Sequence, residues 1–158
     1  MSKPLILVTG YFGAPIEETA RGIAERENFA YLSLDEEVVR RDGRSIHRLV
    51  MMNGEHGYRN TEYEILNEIN EDPDRDALVI SCGDGVLYDD MSREIAQANT
   101  LVIAGEDLST DELWERARTM DGTYHAFMFF GSDDEKRQAF ERYLERQRVL
   151  FEGAKDRP

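Results

Sequence analysis

The chain has 158 residues, 41% apolar and 9% aromatic, enough for one folded domain (1–158) with a proper core and against a disordered chain. Its 33 acids outnumber 19 Lys and Arg, a formal net charge of −14, and such a surface repels nucleic acid and anionic membranes. The same field opposes ATP unless a local cluster of cations overrides it.

From the N-terminus, Ser2-Lys3-Pro4 leads straight into the β-branched apolar run LILVTG (Leu5 to Gly10), which reads as a buried strand and leaves no room for a signal peptide. From Ile16 the apolar residues Ile16, Ala20, Ile23 and Ala24 fall at helical spacing. AYLSL (Ala30 to Leu34) is a second strand, and Asp35 opens a helix with Val38 and Val39 inward. SIHRLVMMNG is a short helix closed by Gly54, followed by a longer one from Tyr58 to Asn70. The acidic turn EDPDRD leads into ALVISC, a third strand ending in the lone cysteine, Cys82, which reads as a buried small hydrophobe. A helix from Met91 to Ala98, the strand TLVIAG, a helix from Thr110 to Thr119 with Trp114 as an anchor, and a charged helix from about Asp133 to Glu152 complete the chain.

Strands alternating with helices predict an α/β fold, a parallel sheet covered on both faces. Four strands are expected, near residues 5–9, 30–34, 77–82 and 100–104. No apolar run approaches the roughly 20 residues of a membrane span. One cysteine permits no internal disulfide, so a reducing cytoplasm is the simplest compartment. His47, His56 and His125 show no metal-ligand spacing, and no metal is expected.

The first turn reads GYFGAPIEE. Gly10 and Gly13 stand after a strand as in a phosphate-gripping loop, whose glycines let backbone N–H groups surround phosphates while Lys neutralises charge and Ser or Thr holds Mg²⁺. Here Pro15 stands for the next glycine and has no N–H to offer, Ile16 stands for the lysine, and Glu17 for the hydroxyl. Taken alone, these residues fit a plain strand–helix turn as well as an altered phosphate loop.

The order GYFGAPIEE, YLSLDEEVVRRDGRSI, NGEHGYRNTEYEIL and VISCGDGVL resembles the shikimate kinase family, in which a P-loop, an F-x-D-x-D segment, an SI…GE…FR…E…L stretch and a GGG turn follow one another at similar intervals. The resemblance runs from about residue 5 to 120 and more loosely to about 156. It implies a three-layer αβα P-loop kinase-like fold with a short parallel sheet, here with a reduced lid and a truncated C-terminal end. In that family the γ-phosphate of ATP passes to the 3-hydroxyl of shikimate.

Carried over residue by residue, the resemblance makes Asp35 the group that binds, and in an active enzyme activates, the acceptor hydroxyls; as a bland alternative Asp35 caps its helix. Arg59 matches the arginine that grips the acceptor carboxylate, and Glu62, three residues on, orients it. Gly83, Asp84 and Gly85 occupy the glycine turn, with Asp84 adding a side chain and a charge. That charge leads to the expectation that Asp84 or Glu62 pairs with Arg59, and that the group forms the most polar cavity.

The lid arginine falls on His125 in TYHAFMFF, and a second carboxylate-binding arginine falls on Gln147. Phosphoryl transfer needs cations at the phosphates, so the losses at Pro15, Ile16, Glu17 and His125 predict a pseudoenzyme with no cofactor. It would keep a remnant pocket for a small hydroxy-acid. ATP and Mg²⁺ enter only if the chain is instead a divergent active kinase. A third class, an acidic interaction protein for a basic partner, fits the same composition.

Overall fold

The computed structural model describes residues 3–155. In chain order these form β1 (Leu5–Gly10), α1 (Ile16–Glu27), β2 (Ala30–Ser33), α2 (Leu34–Asp42), α3 (Ile46–Glu71), β3 (Leu78–Ser81), α4 (Asp90–Ala98), β4 (Thr100–Ala104), α5 (Thr110–Arg118) and α6 (Asp133–Lys155). Single 3₁₀ turns at Val86–Tyr88 and Ala126–Met128 were not anticipated from the sequence.

All strand pairs are parallel, in the order β2-β3-β1-β4. Leu5 faces Leu78 across one side of β1, and Leu7 faces Leu101 across the other. A parallel sheet needs cover on both faces because its strands are apolar on both. On one face Leu5, Leu7 and Ile80 pack with Leu34, Leu49, Tyr58, Ile65 and Leu66; on the other Val8 and Val79 pack with Ala20, Leu113 and Phe140. Helix α6 belongs to both layers, sending Phe140 and Tyr143 into one and Phe151 into the other. Each large apolar side chain buried this way stabilises the fold by roughly 1.5–3 kcal/mol.

Local chemistry sets the helix starts. Ser33, Ser45 and Asp89 accept from backbone N–H groups of the first turns of α2, α3 and α4. Ser109 and Glu112 form a reciprocal capping box on α5. Two sequence expectations shift. Helix α2 begins at Leu34, so its cap is Ser33, and Asp35 lies inside the first turn with its side chain free for other partners. Helix α3 carries both helices expected between Ile46 and Asn70, joined at Gly54, whose φ of 76° breaks the helical path. With every strand parallel, Gly10, Ser33, Ser81 and Ala104 end at one edge of the sheet, where the segments that follow them form the site.

Candidate functional site

The turn after β1 is held from three sides. An added Cβ on Gly10 would come within 2.6 Å of the Ala104 carbonyl oxygen, and one on Gly13 (φ +97°) would collide with that of Leu113. Both glycines therefore let neighbouring backbone approach, at β4 and at α5. Four of the turn's amides bond inside the protein. Tyr11 donates to Ala104 O at 3.2 Å, Ala14 to Tyr11 O at 2.8 Å, and Ile16 to Ala14 O at 2.9 Å. Phe12 N donates to Gln147 Oε1 at 2.9 Å. The Phe12 ring is buried against His125, Phe140 and Tyr143, with centroids 4.4, 5.8 and 6.2 Å away. Arg116 Nε donates to Gly13 O at 2.6 Å. Glu17 and Glu18 occupy the first turn of α1, where their charge already meets the positive end of the helix.

The second group sits between α2, α3 and β3. The Tyr58 hydroxyl donates to Asp35 Oδ1 at 2.5 Å. Arg59 donates to Glu62 Oε1 at 2.8 Å and to Glu55 Oε1 at 2.9 Å, and also bonds the Tyr124 hydroxyl. Its guanidinium lies over the Tyr58 ring, 4.6 Å from the centroid, and near the Tyr124 ring at 5.5 Å. Arg59 and Glu62 are buried; among the described residues Arg59 Nε has no hydrogen-bond partner, while the Tyr58 hydroxyl adds to Arg59 in favouring the charged form of Glu62. Burial raises the Glu62 carboxyl to about 7 against the pull of Arg59, with Asp35 pushing the same way. Burial also raises Asp35, opposed by Tyr58 and Arg59.

The glycines of the third strand's turn make room for this group. An added Cβ on Gly85 would run into the Arg59 guanidinium, and one on Gly83 would come within 2.7 Å of the Tyr58 hydroxyl. Between them, Asp84 does not pair with Arg59 as the sequence suggested; of the two carboxylates expected there, Glu62 makes that contact. Asp84 Oδ2 instead lies 3.0 Å from His125 Nε2 and accepts from the Tyr143 hydroxyl at 2.8 Å. Its backbone oxygen accepts from Gln147 Nε2 at 2.9 Å. Burial pushes the Asp84 carboxyl up, but His125 and Tyr143 outweigh it and hold the group below the ordinary carboxylate range.

A cleft of about 410 Å³ opens over these turns. The structure brings Asp35, Gly83 and Asp84 to its wall together with Glu17 and Ile16. Arg59, Glu62 and Gly85 stand behind that wall, and Tyr124 lines it in front of Arg59. Gly10, Gly13 and Pro15 are not part of it. Sequence reasoning missed Tyr124, Tyr143 and Phe12 altogether. It reached His125 and Gln147 only as positions where an arginine was lacking, with nothing in the sequence to signal their actual partners.

The family profile described as "Shikimate kinase" matches residues 18–149, so the match begins just beyond the glycine turn. A shikimate kinase of Aromatoleum aromaticum is 29% identical over 114 residues, covering 72% of this chain and 63% of that one. One from Chloroherpeton thalassium is 33% identical over 112 residues, covering 70% and 58%. The chain thus covers less than two thirds of either relative. Among solved structures, the shikimate kinase from Acinetobacter baumannii in complex with shikimate superposes with a TM-score of 0.80 at 24% identity, over 96% of this chain and 80% of that one. The Bacteroides thetaiotaomicron enzyme gives 0.78 at 24% identity, over 94% and 81%. These structural likenesses establish the fold. No helix among the described residues is long and apolar enough to cross a membrane.

Proposed function

The chain belongs to the shikimate kinase family, and we propose that it keeps the family's small-molecule cleft while lacking ATP-dependent phosphoryl transfer. The observation that carries this reading is the state of the turn after β1. A phosphate cradle needs free amides, a mobile cation and a metal-holding hydroxyl. Here the amides of Tyr11, Phe12, Ala14 and Ile16 are spent on internal partners. Pro15 has no N–H, Ile16 carries no charge, and Glu17 places a carboxylate at the helix entrance.

ATP and Mg²⁺, which the family implies, do not fit these residues. Ser33 stands where the family's earlier acid contributes to the metal region, and its hydroxyl is engaged as the cap of α2. The basic side chain nearest the turn, Arg116, is tied to Gly13 O and lies 3.6 Å from Glu18. His125, at the position of the lid arginine, faces Asp84. What the remaining residues can do is bind: Asp35 presents a carboxylate to the cleft, and the Gly83 backbone is open to close approach.

Calorimetric titration of the protein with ATP and Mg²⁺ tests the reading. No heat of binding is expected up to millimolar nucleotide. A micromolar dissociation constant, or transfer of phosphate to shikimate in a coupled assay, would establish the contrary reading of a divergent active kinase, which the names of the relatives favour.

A further inference from the structure

The acids of this chain are not spread evenly. From Val38 to Gly54 the one acid is Asp42, and from Gly122 to Ser132 there is none, in a chain with 33 acids among 158 residues. The fold brings these two stretches together. The Phe129 ring packs on His47 near the start of α3, with centroids 5.5 Å apart, and Met51 stands one helical turn beyond His47 on the same face. Met51, Met52, Phe129 and Phe130 are 71, 72, 50 and 74% exposed. Apolar residues scattered singly over a surface are ordinary, but four gathered around one contact mark an interaction face.

The charges around this face say what covers it. Arg40 bonds Glu37, Arg41 bonds Glu37 and Glu68, and Arg44 bonds Asp42 at 2.6 Å. With those arginines cancelled the face is close to neutral, so nucleic acid, an anionic membrane or an acidic protein gains little from it. A second copy of the chain is different. At −14 each, two copies repel wherever acidic surface meets acidic surface, and this window lets them approach without that repulsion. The window is also self-complementary. A two-fold axis between Met51 and Met52 runs α3 antiparallel to its copy and sets Arg48 opposite Glu55 of the second copy, because the two stand equally far from the axis along the chain. Arg48 is exposed and in no ion pair among the described residues, and Glu55 is half exposed beside Arg59.

We propose that this face, built from the first half of α3 and the Phe129–Phe130 segment, pairs two copies of the chain across a two-fold axis. An isologous contact of this kind uses the same patch on both partners, the commonest form of soluble oligomer. The patch is small, so the dimer is a weak one, with a dissociation constant on the order of 10 μM. Pairing also bears on the cleft. Thr123 and Tyr124, which line it, belong to the same acid-free segment as Phe129 and Phe130. Holding that segment against α3 keeps Tyr124 on Arg59 and His125 on Asp84, so the dimer has the more firmly covered cleft.

Sedimentation equilibrium of the full chain, from low to high micromolar protein, tests the proposal, and a monomer–dimer equilibrium is expected. Met52→Glu and Phe130→Glu, which place a carboxylate at exposed positions of the face, should each weaken it at least roughly tenfold, the scale of losing one interface anchor. Val149→Glu adds the same charge at a similarly exposed position of α6 and should leave pairing unchanged. Arg48→Glu and Glu55→Arg should each weaken pairing, and the double exchange should recover most of it. Because Glu55→Arg removes a partner of Arg59, the Met52 and Phe130 variants decide if it fails to fold. A monomer at every concentration, equal weakening by Val149→Glu, or adsorption of the monomer to phosphatidylcholine vesicles through Phe130 in place of pairing would overturn the proposal. A folded double exchange that recovers nothing would overturn the two-fold arrangement. None of these outcomes touches the nucleotide question, which the ATP titration answers separately.

Discussion

Replacing Gln147 by Ala probes the joint that fixes the turn after β1. The side chain is fully buried. Its amide accepts from Phe12 N at 2.9 Å, donates to Asp84 O at 2.9 Å, and reaches Gly10 O at 3.4 Å. One side chain of α6 thereby ties the turn after β1 to the turn after β3. Alanine would leave the Phe12 amide and the Asp84 carbonyl without that partner in the interior. Each such orphan costs about 1–3 kcal/mol, and the long third bond adds little. With the cavity left by the missing atoms, the expected loss is about 3–5 kcal/mol. In urea, where a chain of this size unfolds with a slope of about 2 kcal/mol per molar, the midpoint should fall by roughly 2 M. Hydrogen exchange supplies the local readout: the Phe12 amide should lose protection beyond what global destabilisation explains, while β3 amides should not. Gln147→Arg, which installs the residue type the resemblance places here, should be at least as damaging, because a guanidinium cannot accept from Phe12 N–H. A loss below about 1 kcal/mol with Phe12 protection unchanged would refute the idea that the turn is fixed from α6.

Two further outcomes follow from the same geometry. Glu62 has its carboxyl raised from 4.5 to about 7, so between those values the unfolded chain has released a proton that the folded chain keeps. Stability should therefore fall as pH rises through that window and level off above it, by up to about 3 kcal/mol from this group. Urea unfolding of Glu62→Gln against the native protein at pH 5, 6 and 7.5 should show the slope flattened in the variant. Gly13→Ala should cost about 2–4 kcal/mol, since the φ of +97° strains alanine and the new Cβ meets the Leu113 carbonyl. Gly122→Ala, at φ +76° with open space around it, should cost only about 1 kcal/mol. Equal thermal-melt losses for the two would show that close packing of α5 is not what Gly13 serves.

What the residues determine alone is what depends on neighbours in the chain. The β-branched runs at Leu5–Gly10 and Leu78–Ser81 and the apolar spacing of α1 place the strands and the first helix, because those periods are local. Pro15, Ile16 and Glu17 show by their own chemistry that position 15 offers no N–H, position 16 no charge and position 17 a carboxylate. The Arg59–Glu62 contact was also legible, since residues three apart share a helical face. The partners of the new polar groups were not. Asp84 meets His125 across 41 residues and Tyr143 across 59, and Phe12 meets Gln147 across 135. Read in sequence, Asp84 was a charge aimed at Arg59 and Gln147 a lost arginine. In the fold, α6 and the segment before it carry His125, Tyr143 and Gln147 onto the glycine turns, so that Asp84 and the Phe12 amide meet partners from distant elements. Local spacing carries no information about such pairs, because they are chosen when the layers close and buried donors and acceptors must be matched.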